Sequence, residues 1–164
     1  MPTPPTYSVG QVVGASDANT WFTPRSLVAA SSFASVSTTL VSGPSVAVDA
    51  SAYYKFECYL IYDGITGVDI KFQFTGPASS VLNMQYRYQA TGTGTFTDSA
   101  LTGLSTLGTA QAGGSGVNRM IAMLGSFTTG VTSGTLLLQF AENASSATPT
   151  HIQAGTVLSL TRQG

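Results

Sequence analysis

Charge is what this chain has least of. Lys, Arg, Asp and Glu make up 8% of its 164 residues, against about a quarter in an average domain. The six basic residues are scattered and the net charge is −1. The electrostatic attraction that drives nucleic-acid binding is therefore missing, and no nucleic-acid partner is expected. No apolar run approaches the ~20 residues of a membrane span, and the N-terminal MPTPPTYSVG lacks the charged and apolar regions of a signal peptide. No membrane partner is expected either. The single cysteine, Cys58, cannot form an intramolecular disulfide and rules out a cysteine-rich metal site. It falls on the inward parity of its strand, which reads as a buried, inert thiol.

Reactive residues are as scarce. His151 is the only histidine; it reads as part of a polar loop before the last strand, with no G-x-S-x-G elbow to make a nucleophile of a serine. Glu57 and Glu142 are the only glutamates, too few and too separate for a carboxylate pair in a groove. Asp63, Asp69 and Asp98 are spread apart, and DGITGVD lacks the ligand spacing of a calcium loop. The expectation is a protein that is not an enzyme, with no catalytic residues, no metal and no cofactor.

Serine and threonine (20 and 23 residues) beside 18 glycines fill the place of charge. Hydroxyls are cheaper to desolvate than charges, so a neutral polar exterior suits permanent packing against neighbours. Regular aromatic and β-branched runs argue against a disordered linker. The length fits one domain able to bury its own core.

The clearest local signal lies in 52–75, AYYKFECYLIY, DGITG and VDIKFQFT. Tyr54, Phe56, Cys58, Leu60 and Tyr62 share one parity; Val68, Ile70, Phe72 and Phe74 alternate with polar residues. Period two marks strands with one buried face. Asp63-Gly64 and Thr66-Gly67 tolerate positive φ and predict a tight turn, hence a hairpin. The opposite parity carries Tyr53, Lys55, Glu57, Tyr59 and Ile61, with Lys55 and Glu57 placed for an ion pair. That outer face is too apolar for solvent alone, and it is expected to be an oligomer or shell interface.

Elsewhere, Pro2, Pro4 and Pro5 favour an extended arm. Ser16 followed by Asp17 reads as a helix N-cap, predicting one short helix over 17–22 that packs Trp21 and Phe22. Strands are expected over 26–33, 35–41 and 45–49, with a turn at Ser42-Gly43-Pro44. Further strands fall over 81–88, 95–102, 135–141 and 156–162; the third places Leu136, Leu138 and Phe140 inward, and the last carries Val157, Leu158 and Leu160. The span 89–118 is long for a connection in one domain and, apart from 95–102, reads as an exposed Gly/Ser/Thr loop, either a ligand-binding loop or a plain surface loop tolerant of variation. Eight to ten short strands with these turn signals predict an all-β sandwich or jelly roll. The division is an N-terminal anchor, 1–25, and a β-sandwich domain, 26–164.

GQVVGASDANTWFTP, AYYKFECYLIYDG with VDIKFQFTGPA, and SGTLLLQFAENASSATPTHIQAGTVLSLTR resemble a family of tailed-phage virion proteins. These are encoded among the structural genes of actinobacterial phages and described as minor tail or capsid decoration proteins. The resemblance implies a jelly-roll-type sandwich and a homo-oligomer, for instance a trimer, on the virion exterior. It also implies an anchoring arm carrying Pro2, Pro4, Pro5, Tyr7, Trp21 and Phe22. The implied partners are the major capsid protein or a tail protein of the same virion. The alternative is a tail-tip adhesin that takes a host-wall glycan through 89–118.

Overall fold

Alternation over the central run becomes two strands whose inner residues meet across the core. The computed structural model describes residues 25–89 and 96–163. Within them run eleven strands: β1 (Arg25–Val28), β2 (Phe33–Ser35), β3 (Val41–Val48), β4 (Tyr53–Gly64), β5 (Ile70–Thr75), β6 (Val81–Gln89), β7 (Phe96–Thr102), β8 (Gly114–Thr128), β9 (Gly134–Glu142), β10 (Thr150–Ile152) and β11 (Val157–Arg162). The larger sheet has the order β1-β11-β4-β8-β6-β7, with β10 joining β4 to β2; the smaller is β3-β9-β5. The two inner faces share one core cluster. All-β layering and a two-sheet sandwich are thus met; jelly-roll connectivity rests on the resemblance alone. No helix occurs among the described residues. The short helix expected over 17–22 lies outside them, and that part of the expectation is not borne out.

Tyr54, Phe56, Cys58, Leu60 and Tyr62 are all 0–1% exposed, as are Ile70, Phe72 and Phe74. Each such large apolar side chain contributes roughly 1.5–3 kcal/mol by burial. Val68, the ninth expected inward residue, is half-buried in the connection. The pairing departs from expectation. β4 bonds to β8 and β11, whereas β5 bonds to β9 in the other sheet. The run is an arch between sheets, not a hairpin. Positive φ at Gly67 and Asp69 turns the chain. Phe56 then meets Phe74 edge-on at 5.2 Å, and Phe72 meets Tyr86 of β6 at 5.5 Å. Two strands with large apolar inner faces bury more by facing each other across the core than by lying side by side.

The expected turn at Ser42-Gly43-Pro44 is likewise absent. β3 runs straight through, with a register shift against β9 between Ser42 and Ser45. Proline lacks a backbone donor, and a bulge on an edge strand accommodates that.

The third departure concerns 103–113, which was expected to be exposed loop. Ser105, Thr106, Leu107 and Thr109 are exposed as expected, but the backbone of the segment is bonded along the edge of β5. Ser105 N–H donates to Phe74 O at 2.8 Å, Gly108 N–H to Phe72 O at 2.9 Å, and Gln111 exchanges bonds with Ile70 at 2.7 and 2.8 Å. Gly108 makes this possible, since a Cβ there would lie 2.6 Å from the Phe72 ring. β8 then begins at Gly114, inside the span expected to be loop.

At the other end, Asp49 ties the layers together. Its Oδ2 lies 2.6 Å from Arg25 Nη2 of β1 and 3.5 Å from Arg162 Nη1 of β11.

Candidate functional site

The residues available for recognition follow from the sheet registers. On β4, Tyr53, Lys55, Glu57, Tyr59 and Ile61 stand in one outward row. β8 places Ser126, Leu124, Ala122 and Met120 beside Lys55, Glu57, Tyr59 and Ile61 in turn. β6 sets Asn83, Gln85 and Arg87 beside Ser126, Leu124 and Ala122, and β7 sets Asp98 beside Arg87. β11 adds Val157 next to Tyr59 and Ser159 next to Glu57. This outer face spans five neighbouring strands.

Its centre is apolar. Tyr53 is 48% exposed, Tyr59 40%, Met120 53% and Leu124 51%, and half-buried Ile61, Ala122 and Val157 fill between them. Contiguous exposed apolar area of this kind marks interaction surfaces. Leu124 and Gln85 together border two adjoining shallow depressions, one running toward Arg87 and Asp98, the other toward Tyr53 and Thr102.

The charges on this face are already matched. Lys55 Nζ lies 2.9 Å from Glu57 Oε1, a pair along one strand. Arg87 grips Asp98 with two bonds, Nε to Oδ1 at 2.7 Å and Nη2 to Oδ2 at 2.9 Å. The hydrogen bond from Arg87 holds the Asp98 carboxyl below the usual aspartate range, and the same bond raises Arg87. Bonding to Glu57 raises Lys55. With each charge satisfied by its neighbour, a partner covering the face leaves no unpaired ion behind.

Tyr53, Lys55, Glu57, Tyr59 and Ile61 are therefore brought together as one surface. Met120, Ala122, Leu124, Val157, Arg87 and Asp98 belong to it but were not singled out from the sequence. RMIAML is apolar on both parities, so its outward residues carry no local signal. Pro2, Pro4, Pro5, Tyr7, Trp21 and Phe22 all lie outside the described residues.

Other candidates resolve into structure. His151 sits in β10, not a loop, and its Nδ1 lies 2.8 Å from Asp63 Oδ1; Gln153 Nε2 donates to Asp63 Oδ2 at 2.9 Å. These contacts tie β10 to β4, and among the described residues no hydroxyl is bonded to the His151 ring. Asp69 accepts from Gly113 N–H at 3.4 Å. No group of three His, Cys, Asp or Glu side chains among the described residues is placed to hold a metal ion. Cys58 is buried, and loss of solvent pushes its thiol up to about 12. One buried polar group stands out at the arch. Glu142, fully buried, accepts from Ser146 N–H at 2.8 Å through one oxygen while its other has no partner.

Fold and face together define an all-β, two-sheet sandwich with one broad, charge-matched, partly apolar outer surface. No protein-family model matches the chain, and no curated protein matches it. Solved structures of VP2 from infectious bursal disease virus are similar in part. A mutant VP2 protein in derived T=1 particles is 12% identical over 85% of this chain and 39% of that one, with a TM-score of 0.25. A VP2 subviral particle is 13% identical over 85% and 40%, with a TM-score of 0.19. The Gt strain structure is 12% identical over 86% and 41%, again at 0.19. The chain spans about two fifths of the length of these proteins, and at such TM-scores the likeness carries no argument.

Proposed function

We propose that this chain is a non-enzymatic structural protein of a phage virion, most specifically a capsid decoration protein. Segment 1–24 anchors it to the head shell, and the sandwich packs against neighbouring subunits. One observation carries the assembly reading: the outer face of the larger sheet is apolar at its centre and charge-matched at its flanks. Covering it excludes water from Tyr59, Met120 and Leu124 and leaves no charge without a counter-ion. The family resemblance supplies the phage setting. Cementing of this kind works through area buried at several contacts, with no reactive group required.

The tail-tip adhesin remains the competing reading, with its glycan site in 89–118. Much of that span is committed to β7, β8 and the cover on β5, which favours decoration. Counting copies per virion by quantitative mass spectrometry separates the two. Hundreds of copies on the head are expected; a handful at the tail overturns decoration. Deleting 1–10 should abolish incorporation while leaving the β-domain folded, and normal incorporation of that variant refutes the anchor.

A further inference from the structure

Sheet edges expose unpaired backbone donors and acceptors, and folded proteins usually guard them. Here the guards can be named strand by strand. β1 is only four residues long, and Arg25 at its start is bonded to Asp49 and Ala47 of the opposite sheet. β2 has three residues. β3 carries Pro44 and a bulge. The edge of β5 is covered by the 105–111 segment. β7 is the exception: seven residues, FTDSALT, with an unbroken register against β6 and no proline. Its one charge, Asp98, is already held by Arg87. Among the described residues no segment bonds to its outer edge.

The hydrogen-bond parity of that edge can be derived. Gly103 N–H donates to Leu82 O at 2.7 Å, one step beyond the Asn83–Thr102 pair. Bonded and non-bonded pairs alternate in an antiparallel ladder. Thr97, Ser99 and Leu101 therefore bond inward to β6. The N–H and C=O groups of Phe96, Asp98, Ala100 and Thr102 point to the open edge.

We propose that β7 pairs antiparallel with β7 of a second copy, about a two-fold axis at Ser99. The strand's own sequence selects this register. Asp98 then lies opposite the partner's Ala100, and Phe96 opposite the partner's Thr102. All four outward-bonding residues meet their counterparts in hydrogen-bonded pairs. Sliding by one residue along either strand would set an outward-bonding residue against an inward-bonding one. Shifting the axis to Asp98 would oppose two carboxylates, which is unfavourable. Shifting it to Ala100 leaves Phe96 unpaired. A second copy is thus the occupant that satisfies the edge, and a two-fold contact closes without growing into a fibre. The pairing also makes the outer face continuous between copies. This inference names a self-contact within the assembly reading above, yet it concerns the strand edge alone and can fail independently of the Tyr59 face.

The register has a sharp signature, because Ser99 alone faces itself, in a non-bonded pair. Cα atoms there are about 4.5 Å apart, within disulfide range. Native Cys58 is buried and stays out of the reaction. In the 164-residue chain, Ser99→Cys should form a disulfide-linked dimer under mild oxidation, while Asp98→Cys and Ala100→Cys should not. Adding Ala100→Pro to Ser99→Cys removes an edge-facing N–H and should abolish the cross-link with the circular dichroism spectrum and melting temperature retained. Absence of the Ser99→Cys dimer, or equal cross-linking at all three positions, overturns the proposal. So does cross-linking that survives Ala100→Pro. Normal virion incorporation of Tyr59→Lys with the Ser99→Cys cross-link intact would instead strike the function reading and leave this one standing.

Discussion

The two faces of the larger sheet carry similar residue types and have opposite fates. Along β4, Tyr54 and Tyr62 are 0–1% exposed, whereas Tyr53 and Tyr59, one step out of phase, are 48% and 40% exposed. Inside, both tyrosine hydroxyls find partners: that of Tyr54 accepts from Asp49 N–H at 2.9 Å, and that of Tyr62 donates to Ala112 O at 3.0 Å. Outside, the tyrosines stand exposed beside Leu124, Met120 and two closed ion pairs. What separates core from contact surface here is parity, not composition. That gives the comparison a direct test, since neighbouring residues should respond in opposite ways.

The largest effect is expected at Phe56. It is fully buried and edge-on to Phe74 at 5.2 Å, so Phe56→Ala should cost about 3–5 kcal/mol through lost transfer energy and a residual cavity. Chemical denaturation would measure it. A loss near zero would mean that the two sheets do not share one core.

Cys58 comes next. Burial pushes its thiol up to about 12, so it stays neutral and packs as a small apolar group. Cys58→Ser places a stronger hydrogen-bonding group where nothing receives it, and should cost about 1–3 kcal/mol. The wild-type thiol should also resist thiol reagents at neutral pH until the protein unfolds; reaction in the folded state would contradict the inner-face assignment.

Tyr59→Lys should divide the faces most plainly. On an exposed position the change in folding stability should stay within about 0.5 kcal/mol. Incorporation into virions should fall sharply, because the new charge has no mate on a face whose other charges are already paired. A variant that unfolds would show both faces of β4 to be core; one that folds and incorporates normally would remove the assembly face.

Both faces of β4 were legible in the sequence because alternation is a local property. Sheet membership was not. The partners of β5 lie far along the chain, as Gln73 bonding Gln139 at 2.8 Å across 66 residues shows, and Asp-Gly with Thr-Gly serves an arch as readily as a hairpin. Pro44 misled for a related reason: its missing donor breaks a central strand but fits a bulge at an edge. The Gly/Ser-rich 103–113 read as free loop because its burial comes from Phe72 and the β5 backbone, which no local pattern reveals. The outer face was half legible: tyrosines between charges on β4 announced it, whereas Met120 and Leu124 belong to a strand apolar on both sides. Gly125 of β8 shows the same limit. A side chain there would strike the backbone at Asn83 and Met84 of β6, a close approach that no local pattern announces.

The smallest effect concerns the charge matching that makes the outer face suitable for burial. The Arg87 hydrogen bond lowers the Asp98 pKa in the folded state. The sign follows from linkage: a carboxyl depressed on folding stabilises the fold above its unfolded pKa, and that contribution is lost as pH falls through the lowered folded value. Both side chains are well exposed, at 62% and 65%, so solvent screening keeps the stability term slight. A carboxyl titration followed by NMR is therefore the better reading. Asp98 should titrate below the ordinary aspartate range in the wild type and move back toward it in Arg87→Gln, with the melting temperature almost unchanged. The same variant leaves a lone carboxylate on the face, so its incorporation into virions should drop even though its fold does not. If Asp98 titrates identically in both proteins, the pair is not formed in solution, and the outer face loses the charge matching that distinguishes it from an ordinary wet surface.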